Sequence, residues 1–538
     1  WNVETEKFDN VRDSLEDYLN SWKKWNMEFI ESMHLIIGSL YEGEETRRLT
    51  TLDKSLEVML DETYEKMLHY AHNLKSPITM LHMMGIILPI LGLVILPLVV
   101  SFMEEVRWYH LFTLYNVLLP FGVYYLAKRI LATRPTGYGD TDISQLKGMK
   151  KHEQVSFSLG PIKTKMSPLY GALSLLFICI FIGFSPLIMN AADPCLDLTI
   201  GAEGIKSRCS VEAATSIKYS LLEYRTNAKT GLISGPYGIG AALLSVAIPL
   251  GLGLSLGLFF FLRSKNIIKI RNESKRLEQE FASALFQLGN RLADRLPAEI
   301  AFGKVAQVME GTVSGKFFSL VSINIRKLGY GVEQAIFDPK HGALAYYPSN
   351  LIESSMKVFV ESSKKGPLVA AQALINVSTY IKSMHRVDER LKDLMADIIS
   401  SMKSQIQFLT PAIAGIVIGI TSMITAILGS LGSQIEVLAA QGGGASVQGG
   451  GLLSSFGGGI PTFYFQIIVG IYVVQIVYIL SIMINGIQNG SDSLNEKYLI
   501  GKNETQSTLL YCGIAFGLML MFNLIAGAIV GGLNSGLG

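Results

Sequence analysis

Seven stretches of this 538-residue chain contain no Asp, Glu, Lys or Arg: 76–103, 108–127, 166–192, 230–262, 404–435, 437–491 and 505–538. Together they hold 229 residues, and each can accommodate a helix of about 20 apolar residues, the length that crosses a bilayer. In hydrocarbon the backbone must satisfy its own hydrogen bonds, so helices are the expected form. All 90 charged residues crowd into the other 309, about 29% of them, the density of an ordinary soluble domain. Averaged over the chain, this gives 49% hydrophobic residues, 17% charged and a mean hydropathy of +0.36. A purely soluble enzyme, a disordered chain and a secreted disulfide scaffold are excluded.

The windows predict seven spans: Met83–Phe102, Trp108–Ala127, Pro168–Met189, Ile239–Leu262, Phe408–Leu431, Phe463–Ile487 and Thr508–Val530. Orientation follows from basic residues, which stay on the cytoplasmic side. Lys128 and Arg129 end the second span, and Arg134, Lys147, Lys150, Lys151, Lys163 and Lys165 follow it. The fourth span is followed by Arg263, Lys265, Lys269, Arg271, Lys275 and Arg276. Alternation then places 1–82, 128–167, 263–407 and 488–507 inside and 190–238, 432–462 and the C-terminus outside, with an eighth helix in 437–462 left open. The predicted organisation is a helical cytoplasmic module (1–82), a four-span membrane block (83–262), a second helical module (263–407) and a three-span block (408–538). The fold class is all-α and polytopic.

The two modules share a sequence echo. Residues 74–81 (Leu-Lys-Ser-Pro-Ile-Thr-Met-Leu) and 402–409 (Met-Lys-Ser-Gln-Ile-Gln-Phe-Leu) match at Lys75/Lys403, Ser76/Ser404, Ile78/Ile406 and Leu81/Leu409. Met67/Met395 matches upstream, and each copy runs from a long amphipathic helix into a span. This reads as a duplication. The first copy is shorter and is read as lacking its leading helices; no signal peptide is visible, and the chain begins at Trp1. The modules carry opposite charge, −7 over 1–82 and +7 over 263–407, which suits either mutual attraction or complementary faces for a partner. The Gly-triplet stretch Gly442–Gly459 is expected to be a flexible outer linker.

Chemistry-bearing motifs are scarce. Gly311-Thr-Val-Ser-Gly315-Lys316-Phe317 has the wrong glycine spacing for a phosphate loop and lacks its Ser or Thr after Lys. Gly251, Gly253 and Gly257 lie within a span, where small residues allow close helix approach. His69, His72 and His82 lack the partners of a zinc site. Cys195 and Cys209, in the outer loop, are either a disulfide or two free thiols. No catalytic, metal or cofactor site is expected. No predicted span contains Asp, Glu, Lys or Arg, which argues against a carrier or pump with buried ionisable groups.

Phe281-Ala-Ser-Ala-Leu-Phe-Gln-Leu-Gly-Asn-Arg-Leu-Ala-Asp-Arg-Leu-Pro297, Gly331–Phe337, Gly366–Leu374 and Val387–Leu409 occur in an order that resembles the F domain of type II secretion and type IV pilus platform proteins. The resemblance covers 263–431 well and 25–102 moderately. The extra spans in 108–262 make the chain look like the larger platforms of archaella and archaeal pili. The resemblance implies two F-type helical bundles in the cytoplasmic membrane, no enzymatic activity, a dimer, and no nucleic-acid partner. It implies a separate hexameric ATPase docking from the cytoplasm, pilin-like or archaellin subunits as cargo, and contact with membrane lipids. Candidate docking residues are Arg134, Lys147, Lys150, Lys151, Lys163 and Lys165; Arg263, Lys265, Lys269 and Arg271; and Arg291, Asp294 and Arg295. Juxtamembrane basics also fix topology or bind anionic lipid. An ATPase-driven permease and a receptor built on the 190–238 loop are the competing readings.

Overall fold

Prolines within the apolar stretches, Pro89, Pro120 and Pro411 among them, shape the helices. In this computed structural model the described residues are 10–24, 26–102, 106–133, 155–159, 162–192, 198–201, 204–207, 217–226, 233–441, 460–490 and 492–536. The chain opens with α1 (Val11–Trp22), α2 (Met27–Ser39) and α3 (Glu45–His82). A π-helical turn, Met83–Ile87, leads into α4 (Leu88–Phe102). Next come α5 (Trp108–Thr113), a second π turn at Leu114–Leu118, and α6 (Leu119–Ala132). Helices α7 (Pro168–Ala192), α8 (Ile239–Ser245) and α9 (Ala247–Ala293) follow. Then come α10 (Ala298–Val308), α11 (Val313–Leu328), α12 (Val332–Phe337), α13 (Ala343–Tyr346) and α14 (Asn350–Ser363). Helix α15 (Pro367–Ser404) passes through a third π turn, Gln405–Leu409, into α16 (Thr410–Gln441). The last two are α17 (Thr462–Asn489) and α18 (Ser493–Gly536).

Two compact units result: Trp1–Lys75, Thr133–Tyr138 and Ser274–Asp397 in one, and Ser76–Ala132, Gly139–Glu273 and Ile398–Gly538 in the other. The first is a helical bundle. Phe281, Leu285, Leu288 and Leu292 recur at helical spacing on α9 and are at most 2% exposed. They meet Phe302, Phe317, Phe318, Ile336, Ile352, Met356 and Phe359. Phe302 stacks on Phe318 at 5.5 Å, and Phe281 meets Phe317 edge-on at 6.0 Å. Each such side chain contributes roughly 1.5–3 kcal/mol by burial. Asn10, Asn26, Thr312 and Ser349 cap α1, α2, α11 and α14 by accepting backbone N–H bonds. Thr312 places the rejected phosphate-loop motif at an ordinary capped helix start. Arg390 of α15 lies 5.9 Å over the ring of Tyr64 of α3, so residues of the acidic and basic modules touch within this unit.

The second unit holds the apolar helices. Among the described residues six helical stretches are long and apolar enough to cross a membrane: Arg47–Leu96, Pro168–Ala192, Ile239–Ala293, Pro367–Gly429, Thr462–Asn489 and Ser493–Ile529. The chain is a multi-pass membrane protein. The seventh expected span is helical over 108–132 but is not among the six. Tyr109, His110, Tyr115, Asn116, Tyr124 and Tyr125 make it more polar. It packs along α17, with Trp108 stacked on Tyr464 at 5.1 Å. Helix α17 is the central one: 72% of its apolar window is buried, against 22% for α7. Close helix approach relies on glycine, as at Gly253 against Thr508 and Gly415 against Ile514, where a Cβ would clash.

Four loop expectations change. The all-α reading holds for the long elements, but the inner loop 128–167 and outer loop 190–238 contain short strands. Strands β1 (Val155–Leu159) and β2 (Ile162–Met166) form an antiparallel hairpin. Strands β3 (Leu198–Gly201), β4 (Gly204–Ser207) and β5 (Ile217–Ser220) form a sheet in the order β4-β3-β5, and β6 (Arg225–Thr226) pairs with β7 (Ile233–Ser234). The expected inner loop 488–507 is mostly helix, because α18 starts at Ser493. Helix α16 likewise runs on to Gln441, into the expected outer loop. The Gly-triplet stretch Gly442–Gly459 lies outside the described residues.

Candidate functional site

Among the described residues each π turn ends two residues before a proline. Pro89, Pro120 and Pro411 have no N–H, so the carbonyls four residues earlier, Gly85, Asn116 and Gln407, lose their helical donors. Each of those carbonyls lies inside a π turn. Helix α17 supplies replacements for two of them. The Tyr472 hydroxyl donates to Gly85 O. Gln475 Nε2, one turn further on, donates to Asn116 O at 3.2 Å. Tyr115 adds an edge-on contact with Tyr472 and donates to Pro89 O at 3.2 Å. Two proline-broken helices are thereby pinned to one face of the central helix.

A second polar cluster closes the α17–α18 turn. Gly490, at φ 70° and ψ −134°, takes a backbone conformation that favours glycine and lets the chain reverse. Asp492 then caps α18, accepting from Asn495 N at 3.1 Å, and forms an ion pair with Arg271 of α9. Asn485 Nδ2 donates to Asp492 O at 2.8 Å, and Asn495 Nδ2 donates to Asn485 Oδ1 at 2.9 Å. The Arg271 and Asp492 side chains are 9% and 0% exposed, so this charge pair is internal. Arg271 was expected as a docking cation; burial makes it a structural tie between α9 and α18 instead.

Further along α18, Asn503 Nδ2 donates to Ser481 Oγ at 3.0 Å, and Asn503 Oδ1 accepts from Gln407 Nε2 at 3.2 Å. Its neighbour Glu504 is fully buried, and neither carboxyl oxygen has a hydrogen-bond partner. Ser507, Thr508 and Tyr511 of α18 and Gln466 of α17 are also buried, with polar atoms lacking partners. Glu504, Ser507, Thr508 and Tyr511 follow the i, i+3, i+4, i+7 spacing of one helix face. Glu504 lies four residues before the last predicted span, Thr508–Val530, so no predicted span contains it, yet it is buried on the same helix. Glu504 escaped notice because a window defined by absence of charge ends, by construction, at the residue that breaks it.

The other docking candidates are dispersed. Arg134, Lys147, Lys150 and Lys151 lie outside the described residues, as do Cys195 and Cys209. Lys163 and Lys165 sit on β2, paired in register with Ser158 and Ser156. On α9, Lys265 and Lys269 are exposed and Arg263 is half-buried. Arg263 lies over Phe259 at 5.9 Å and Lys265 over Phe261 at 5.6 Å, as long cations do at the edge of an apolar layer. In the helical unit, Arg291 is half-buried, while Asp294 and Arg295 are exposed at the end of α9. Arg295 takes the left-handed conformation at φ 60° and ends the helix, its N–H bonding to Leu292 O at 2.9 Å. Among the described residues no group of three or more His, Cys, Asp or Glu could hold a metal ion. No family model, curated protein or solved structure matches the chain.

Proposed function

We propose that this protein is the cytoplasmic-membrane platform of a type IV pilus-like filament machine, an archaellum or archaeal pilus. In this reading it couples a separate cytoplasmic hexameric ATPase to the insertion of pilin-like subunits. The supporting observation is helix continuity. Helices α3, α9 and α15, of 38, 47 and 38 residues, each contribute to the helical unit and to the membrane unit without an intervening loop. At 1.5 Å per residue the 38-residue helices are about 57 Å long, suited to carrying a displacement made at one end to the other. Helices α3 and α15 both lead through a π turn into an apolar helix, where π turns and prolines concentrate bending. An ATPase acting on exposed residues such as Lys265, Lys269, Asp294 and Arg295 would then move the bundle that receives the subunit. The full chain, purified with a hexameric secretion ATPase encoded near it, is expected to bind that ATPase and raise its turnover, with no hydrolysis by the chain alone. Absence of binding and of stimulation would refute the platform reading.

A permease is the second reading, and the buried Glu504 favours it. It predicts solute flux in proteoliposomes containing the chain, which the platform reading does not.

A further inference from the structure

Glu504 is the one carboxyl in the membrane unit found buried with both oxygens unpartnered among the described residues. Its depth can be read from its neighbours. Asn503 is tied to Ser481, which lies six residues, or about 9 Å of helix, before Ile487 in the charge-free run of α17. Thr505 packs against Gly257 and Gly501 against Phe261, both in the charge-free run of α9. The helices that flank Glu504 are uncharged at its level.

Among the described residues no cation pairs with it: Lys403, half-buried one turn before Gln407, is not within reach of either carboxyl oxygen. Helix α17 and the π turn Gln405–Leu409 carry no Asp, Glu, Lys, Arg or His, and on α17 Tyr478 is within electrostatic reach of Glu504. The nearest cations along α9, Arg263 and Lys265, are engaged with Phe259 and Phe261. Along α18, Lys502 is exposed and two residues away, on another side of the helix. Glu496, Lys497 and Tyr498 lie about two turns back, Tyr498 stacked on Phe261 at 5.6 Å. Tyr511 and Cys512 lie about two turns ahead. An ionised carboxylate with neither counter-ion nor donor costs several kcal/mol in such a setting. The same group as a neutral acid costs much less.

We propose that Glu504 is a proton-binding site in the core of the membrane unit. The occupant must be small, because Glu504, Ser507, Thr508, Gln466 and Tyr511 are all at most 1% exposed. A metal cation would need several converging oxygens, whereas a proton needs only the carboxyl. Exchange gains or loses one proton at a carboxyl oxygen and breaks no other bond. Such a site is what a chain needs to link its state to the proton gradient, and it stands whether or not the platform reading is correct.

The test is infrared difference spectroscopy on the full chain in lipid nanodiscs, wild type against E504Q. At neutral pH the expected difference is loss of the carbonyl-stretch band of a protonated carboxyl, unchanged by added sodium. Loss of carboxylate bands alone would overturn the proposal, and so would a protonated band that sodium abolishes. A wild-type arm independent of the variant's folding uses dicyclohexylcarbodiimide, which reacts with protonated carboxyls in apolar surroundings. Mass spectrometry should find the adduct on Glu504 in preference to exposed carboxyls. Its rate should fall about tenfold per pH unit above the midpoint of the infrared titration. An adduct formed at a pH-independent rate would contradict the proposal.

Discussion

At the residue scale, three sites carry measurable consequences: Arg295, the Arg271–Asp492 pair and Asp338. Arg295 adopts a conformation that costs a side-chain-bearing residue about 1–2 kcal/mol relative to the right-handed region. Arg295→Gly should therefore raise the stability of the helical unit by about 1 kcal/mol, read by thermal or denaturant unfolding. Failure to stabilise would mean that the guanidinium has a compensating partner. The Arg271–Asp492 pair behaves differently. Removing one partner as Arg271→Met leaves a buried charge and should cost about 3–5 kcal/mol, while the double replacement R271M/D492L should cost far less. Equal losses in single and double variants would show that the pair is not coupled. Asp338 is held below the ordinary carboxylate range, first by the backbone N–H of His341 and then by that of Lys340. These bonds measure 2.7 and 2.8 Å. Because its folded-state pKa is depressed, its contribution is present above the ordinary carboxylate value and lost as pH falls through the lowered one. Asp338→Asn should flatten that part of the acid limb in melts across the acid range.

At the element scale, the proline-bearing helices are where chain chemistry and function meet. Pro89 deprives Gly85 O of a donor, and Tyr472 restores one. Tyr472→Phe should cost about 1–3 kcal/mol in the wild-type background. In a Pro89→Ala background the restored N–H can serve Gly85 O, and the same substitution should cost clearly less. An additive double-mutant cycle would contradict the derivation. Pro89, Pro120 and Pro411 are visible in the sequence, and the rule that proline frees the fourth carbonyl back was available there. The donors were not, because Tyr472 and Gln475 lie hundreds of positions away and their pairing exists only after packing. The repeat was partly legible. Leu74/Met402 and Ile78/Ile406 are buried in both copies, but Leu81 is buried and Leu409 exposed. The π turn falls at 83–87 in one copy and 405–409 in the other, displaced by six residues against that alignment, since it follows the prolines.

At the scale of the whole molecule, charge distribution located the long apolar helices well, because desolvating a charge is costly wherever a helix meets lipid. It misjudged where α18 begins, since a carboxyl sheltered inside a helix bundle does not meet lipid at all. It also overrated the apolarity of 108–127, where Tyr115 is buried edge-on against Tyr472 of α17 and the Asn116 carbonyl accepts from Gln475. The short strands of 155–234 were missed because two- to five-residue strands carry too little alternation to register. The central claim is that both helical modules work from one face of the membrane. It is tested most directly by sidedness labelling of single cysteines at Glu57, Lys340 and Thr199 in intact cells, using a cysteine-free background and a membrane-impermeant maleimide. The account predicts that Glu57→Cys and Lys340→Cys stay unlabelled until the membrane is opened, while Thr199→Cys labels at once. Labelling of either module in intact cells would contradict it.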